Sequence, residues 1–582
     1  HLGSRPAGAP FGPRPSPRRA HMSAPPAECG QGSTGGDDAR GASDLEALRM
    51  LQSLLRTYIG KRSIGDILSI MVDPSVPLRL YPVHRTRYDE MLDTFAEVQV
   101  EDASGGAGEA GMAGALATAG GARDGAGGAA DVAATGFLPC AALAAIFARA
   151  AYGALMRRGQ GDSVHAFLQG ATKSAYGSWD ADAHLCAFLE LAGAHPEDVL
   201  LSSWSEQTFQ PAFVVFWVHQ LHWLVLTIRG SSELGSILTD VAAEECEVAG
   251  GLAHSGITRA ARWVLRRAGP TIAGALRGIP EYRLVCAGHS LGGDIAALIA
   301  VIFREGDSGL GVSPGGSPAS RSEGEGGGGP RAAGAEAAPQ EECGGGSAAA
   351  VGAEAASPCG GSTGAAAVSG EEVLGQRTLA YAFGASPIMS PELADRCRPY
   401  VLSVSRDADY ITRVSAFGLD RLILQLTEHS ATQVARRWLS DRLGLGKGSS
   451  GSTSRTRTFG PGARVPEVMA TPGALLHVDR CGLGGRRQAP ARLYWAEPWF
   501  YHEVFVSAHM FHDHLPIRYI EDLLDIIRRA VPGRARDLHL QGRAGADPDA
   551  QRAVRRGLEG IIAERSVREL SGRGGGCTRS SS

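Results

Sequence analysis

The stretch EYRLVCAGHSLGGDIAALIAV, residues 281–301, decides the fold. It opens with a short apolar run, YRLVCA, passes through GHSLG, and continues as LGGDIAALIAVIF with apolar residues at helical and near-continuous spacing. A run of the first kind suits a buried parallel strand, and the second suits a helix lying on a sheet. GHSLG matches G-x-S-x-G, in which a serine sits on a sharp strand-to-helix turn and glycines stand where side chains would clash. The pattern occurs twice more, as GVSPG around Ser313 and GGSTG around Ser362. Both lie in Gly/Ala/Ser/Glu-rich sequence, with no strand before and no helix after. Ser290 has the flanks of a nucleophile elbow and is the candidate nucleophile.

A serine hydroxyl is a weak nucleophile alone. It needs a histidine base, and the base needs an acid to orient it. In α/β-hydrolases with a G-x-S-x-G elbow the chain order is Ser, then Asp or Glu, then His. RPYVLSVSRDADYITRVS, residues 398–415, supplies an apolar run at 400–404 followed by Asp407 and Asp409. VFVSAHMFHDHLPIRYIEDLL, residues 504–524, supplies His509, His512 and His514 just ahead of an apolar helical stretch. The residues themselves leave both choices open. The backbone N–H of Leu291 opens the helix after the elbow, where free amides and the helix dipole favour a developing oxyanion. His289 and His254 read as packing residues rather than acid/base groups.

The rest of the chain bounds what this site serves. Among 582 residues, Lys+Arg number 57 against Asp+Glu 61, a net charge of -4. That lacks the basic field a nucleic-acid partner leaves. The 10 cysteines form no C-x-x-C pair and no His/Cys cluster at zinc spacing, which predicts free thiols. The first 40 residues are rich in Pro, Gly, Ala and Arg and lack the apolar core of a secretory signal. They fit a cytoplasmic or peripheral membrane protein, and their composition is also compatible with plastid targeting. The first residue is His1 rather than Met, which suggests a fragment. From Gln207 to Ile228 there is no charged residue, a length that could span a bilayer. Pro211 and the Val, Phe, Trp and Ile content predict two buried strands instead, about 212–218 and 223–229.

Composition divides the chain into a disordered N-terminus at 1–42, a helical segment at 43–102 opening with SDLEALRMLQSLLRTYIG, and an Ala/Gly-rich linker at 103–135. One α/β domain follows at 136–530, interrupted by low-complexity insertions at 306–370 and 446–464. LPCAALAAIFARAAYGALM near its start reads as a core-facing helix with Arg149 inside it. Residues 531–582 form an Arg-rich tail, read as mostly disordered apart from a helix near 549–570.

These motifs together resemble the class 3 lipases, the fungal-type family, and within it the diacylglycerol lipase branch. LVLTIRGSSELGSILTDVAAE (224–244) is similar to the family's strand and R-G-[ST] turn, GGLAHSGITRAA (250–261) to its next conserved segment, and GHSLGG to its elbow. FARAAYGAL (147–155) resembles a helix that precedes the sheet in that branch. DADYITR (407–413) resembles the acid segment; aligning its Arg on Arg413 picks Asp409, with Thr412 where the branch has proline. HDHLP (512–516) resembles the base segment and picks His514. The resemblance implies an α/β-hydrolase fold with a mostly parallel central sheet flanked by helices. It implies a Ser290–His514–Asp409 triad, with Ser231 beside Leu291 in the oxyanion hole. It implies a serine hydrolase of glycerolipid acyl esters, meeting its substrate at a membrane or droplet surface and needing no metal or cofactor. Cleavage of a phospholipid sn-1 or other carboxylic ester, or an inactive lipid- or protein-binding scaffold, are the alternatives. The insertion at 306–370 is either a tolerated expansion or a gate over the acyl pocket.

Overall fold

The apolar runs read above form strands that bury both faces. In β6 (Arg283–His289), Leu284 and Cys286 enter one core while Val285 and Ala287 enter the other. In β2 (Phe213–Val218) and β3 (Trp223–Ile228), Phe213, Val215, Leu224 and Leu226 join the first core; Val214, Phe216, Trp223 and Val225 join the second. Successive side chains of a strand point to opposite faces, so a strand covered on both sides reads as a continuous apolar run rather than an alternation. This explains why 207–228 mimics a membrane span. A 3₁₀ turn, His219–Leu221, and His222 in the left-handed region reverse the chain between β2 and β3. Among the described residues no helix is long and apolar enough to cross a membrane.

The computed structural model describes residues 76–98, 127–157, 181–204, 207–230, 245–306, 375–428, 468–480, 490–507, 509–531, 538 and 548–573. Ser231, residues 307–370 and 446–464 of the insertions, and the helix expected to begin near 43 lie outside them. Besides β2, β3 and β6, the main sheet contains β1 (Val199–Ser203), β7 (Thr378–Phe383), β8 (Val401–Arg406), β9 (Ala474–Asp479) and β10 (Arg492–Ala496). Their order is β1-β2-β3-β6-β7-β8-β9-β10. Strands β3, β6, β7, β8 and β9 run parallel, and the edges close with antiparallel pairs. β4 (Glu245–Val248) and β5 (Gly251–His254) form a separate hairpin.

Helices cover both faces, the two-sided solution for a parallel sheet. They are α1 (Val76–Leu92), α2 (Gly127–Ala150), α3 (Ala181–Ala192), α4 (Ser255–Leu276), α5 (Leu291–Glu305), α6 (Ala416–Glu428), α7 (Pro516–Ala530) and α8 (Pro548–Arg573). α4 and α5 pack over the Leu284 face. α2, α7 and α8 pack over the Val285 face. α2 starts within the Ala/Gly-rich stretch, where alanine, the strongest helix former, carries it. Residues outside the central domain add to it. α1 lies against α6, and the chain after α1 reaches β10, where Val98 N–H donates to Leu493 O (2.7 Å). α8 rests on α2 and α3. This is the α/β-hydrolase architecture, with a mostly parallel sheet whose central strand, β6, leads into Ser290.

Candidate active site

Ser290 sits between β6 and α5 with φ 58° and ψ -135°. A side-chain-bearing residue held there costs about 1–3 kcal/mol and persists only when its surroundings force it. The surroundings are backbone. A Cβ on Gly288 would lie 2.1 Å from Gly292 O, and one on Gly292 would lie 2.3 Å from Ile228 O. Backbone cannot step aside as a flexible side chain can, so both positions require glycine, and the elbow locks against the end of β3. Ser290 N–H extends the β6–β7 pairing by donating to Phe383 O (2.8 Å), while its carbonyl accepts from Gly293 N–H (2.8 Å) and Asp294 N–H (3.2 Å). The hydroxyl is fully buried and makes no hydrogen bond among the described residues.

Asp409 and His514, the expected acid and base, lie beyond the carboxyl end of β8 and in the chain beyond β10. Asp409 and His514 are both buried, and His514 Nδ1–H donates to Asp409 Oδ2 at 2.8 Å. That bond leaves Nε2 as the lone-pair nitrogen. Asp409 is held from three more directions. Ile411 N–H donates to Oδ1 (2.9 Å), Tyr519 Oη donates to Oδ2, and Thr412 Oγ1 donates to the Asp409 carbonyl (2.8 Å). Thr412, where the resembled branch has proline, thus tethers the acid loop through its hydroxyl. Gly384, at φ 61°, makes room for the pair: a Cβ there would lie 3.0 Å from His514 Cε1 and 3.1 Å from Asp409 Oδ2.

Asp407 is placed differently. It receives Arg480 N–H (2.8 Å) on Oδ1, and its Oδ2 lies 3.1 Å from Arg406. Burial pushes its carboxyl up to about 8, against the opposing pull of Arg406. Arg406 also meets Asp513 (2.5 Å) and Asp522 (2.5 Å), and so ties the acid strand to the loop before His514 and to α7. His512 lies 3.9 Å from Asp513, and the His509 and His512 rings are 6.3 Å apart. Of the three candidate histidines, His514 is joined to Asp409 of the β8 loop. His254 caps α4, its Nδ1 accepting from Ile257 N–H (3.4 Å). His289 does more than pack: Nε2 meets the His514 carbonyl at 2.8 Å and Nδ1 meets Tyr152 Oη at 2.9 Å. Leu291 is the first residue of α5, where amides have no partner within the helix.

The sequence reading missed Tyr519, Tyr152 and Gly384. Their contacts with the site span 110 and 137 residues for the two tyrosines, which no local pattern encodes. One signal was present: Tyr152 is a hydroxyl inside the otherwise apolar AAYGALM.

The site thus combines a serine elbow in a mostly parallel sheet with a buried His–Asp pair from the segments after β8 and β10. Residues 225–317 match the model of the lipase (class 3) family, in line with the resemblance read from sequence. The chain is 34% identical over 140 residues to diacylglycerol lipase-beta of Mus musculus, an alignment covering 22% of this chain and 21% of that protein. The chain thus matches about a fifth of the length of that relative. Solved structures similar to it include the triacylglyceride lipase of Rhizomucor miehei (15% identity, 44% of this chain and 72% of that one, TM-score 0.25). Another is a lipase from Rhizopus microsporus var. chinensis (14% identity, 44% and 67%, TM-score 0.25).

Proposed function

We propose that the protein is a serine hydrolase of glycerolipid acyl esters, with diacylglycerol as the first substrate to test. Ser290 Oγ attacks the ester carbonyl. His514 Nε2 takes the hydroxyl proton and returns it to the departing alcohol, leaving an acyl-Ser290 intermediate. Water, deprotonated by the same nitrogen, then releases the fatty acid. Asp409 holds His514 in the tautomer with hydrogen on Nδ1 and stabilises the imidazolium. The Leu291 amide and Ser231 stabilise the tetrahedral oxyanion.

One observation carries this reading. Ser290 Oγ is a buried hydroxyl without a hydrogen bond among the described residues, on a strained backbone, and the ring of His289 just before it stands 4.5 Å from that of His514, which pairs with Asp409. An unpaired buried hydroxyl costs about 1–3 kcal/mol, so a turn serine with only a structural role would be better replaced by alanine. The choice of ester follows from likeness to the class 3 lipases and to the mouse diacylglycerol lipase. Turnover of emulsified diacylglycerol, triacylglycerol and phosphatidylcholine, alongside a soluble p-nitrophenyl butyrate control, tests it. Preference for diacylglycerol supports the reading. Hydrolysis of the soluble ester alone would leave an esterase without the lipid substrate.

A further inference from the structure

His289 has an assignable tautomer. The His514 carbonyl oxygen can only accept, so the Nε2 that meets it at 2.8 Å carries a hydrogen. Burial, and then the neighbouring His514, hold the His289 imidazole well below its usual pKa, so it is neutral with one hydrogen. Nδ1 is therefore a lone pair, and Tyr152, 2.9 Å away, must donate its O–H to it. Burial pushes the Tyr152 phenol up, which keeps that hydrogen in place. Every bond in this series has one allowed direction.

We propose that Tyr152 and His289 are positioning residues for the base, through a directed chain from Tyr152 O–H to His289 Nδ1 and from His289 Nε2–H to the His514 carbonyl. The proposal rests on the acyl-transfer reading given above. The chain joins three separate pieces of the site. Tyr152 follows α2 and packs on Gly230, two residues past β3; His289 precedes the nucleophile, and His514 is the base. The fit at Gly230 is close, since a Cβ there would lie 2.3 Å from His289 O and 2.4 Å from Tyr152 Oη. The His289 and His514 rings stand 4.5 Å apart between centroids. A neutral His289 therefore adds no charge beside the imidazolium that forms on His514 in each cycle. Tyr519, whose ring is 5.8 Å from that of His289, Arg229, near Tyr152, and Tyr410, whose ring is 5.5 Å from that of His514, lie around them. A base displaced by about 1 Å from its reacting partner loses on the order of 10²-fold in rate, which sets the scale of the effect.

The test uses the full chain, p-nitrophenyl butyrate kinetics, the second-order rate of fluorophosphonate labelling, and the thermal midpoint. Tyr152→Phe keeps the ring and removes the donor. It should lower kcat by about tenfold or more, leave KM within about twofold, and slow labelling in parallel. His289→Gln retains an amide N–H near the place of Nε2, whereas His289→Phe does not. The Gln variant should keep at least about tenfold more kcat than the Phe variant at a similar thermal midpoint. Wild-type kcat in Tyr152→Phe, or equal losses in the two His289 variants, would overturn the proposal. If Tyr152→Phe does not fold, the His289 pair decides alone. Ser290→Ala separates the two levels. An active wild type with a dead Ser290→Ala and an unaffected Tyr152→Phe rejects the positioning role only. A Ser290→Ala protein that still labels rejects the acyl-transfer reading and the positioning role together.

Discussion

Gly384→Ala perturbs the site by one methyl group at a place where the consequence follows from geometry. Gly384 lies at φ 61°, so any Cβ there costs about 1–2 kcal/mol from the left-handed backbone alone. The new methyl would also lie 3.0 Å from His514 Cε1, 3.1 Å from Asp409 Oδ2 and 3.1 Å from His514 Nδ1. Something must yield by a few tenths of an ångström. Asp409 is held by Ile411, Thr412 and Tyr519, whereas His514 sits at the end of a loop. The imidazole should therefore move. A displacement of that size predicts a kcat loss of about 10- to 100-fold with little change in KM, because the methyl touches the base and not the substrate. The backbone strain should lower the thermal midpoint by a few degrees, about 2–4 °C per kcal/mol for a large domain. Initial rates on p-nitrophenyl butyrate with differential scanning calorimetry measure both. A variant with unchanged kcat would refute the reasoning, since His514 and Asp409 would then not work as a pair in contact with residue 384.

Asp409→Asn should cut kcat by roughly 10⁴, because an amide cannot hold His514 with hydrogen on Nδ1, while Asp407→Asn should stay within about threefold of wild type; steady-state kinetics on the same ester compare them. Tyr519→Phe removes one donor from Asp409 Oδ2 and should lower kcat about tenfold with the fold intact by circular dichroism. Asp294, buried and bonded to Ser386 N–H (2.8 Å) and Oγ (2.7 Å), has its carboxyl pushed by burial up to about 7. Its folded pKa thus exceeds its unfolded value near 3.8, so its contribution to stability is full below that value and is lost as pH rises towards 7. The thermal midpoint of Asp294→Asn relative to wild type should therefore increase from pH 4 to pH 8, and a flat difference would contradict the assignment.

Much of this site was readable because its decisive parts are local. The strand, elbow and helix at 283–305 lie in one unbroken stretch, and the interlock that needs Gly288 and Gly292 is written as GHSLGG. The choice between Asp407 and Asp409 was not local. Both follow β8 closely, and the residues alone left them equal; only resemblance separated them. In the structure Asp407 turns to Arg406 and Arg480, and Asp409 to His514. Side-chain direction after a strand depends on loop dihedrals, including φ 38° at Asp407, that no periodicity encodes. His289 is a different case. It reads as a packing residue rather than an acid/base group, and its hydrogen bond to a partner 225 residues away leaves no local trace. The reach of residues 76–98 onto β10, and of α8 onto α2 and α3, was likewise hidden, because tertiary contact between distant segments leaves no trace in composition.

The central claim is that Ser290 is the acylated nucleophile, and a fluorophosphonate adduct tests it most directly. Tryptic cleavage after Arg283 and Arg304 yields LVCAGHSLGGDIAALIAVIFR, residues 284–304, in which Ser290 is the only hydroxyl-bearing residue. Mass spectrometry of the labelled wild type should place the phosphonyl mass on this peptide. Labelling should vanish in Ser290→Ala, with a kcat loss of up to about 10⁶. An adduct on any other peptide, or undiminished labelling of Ser290→Ala, would contradict the account.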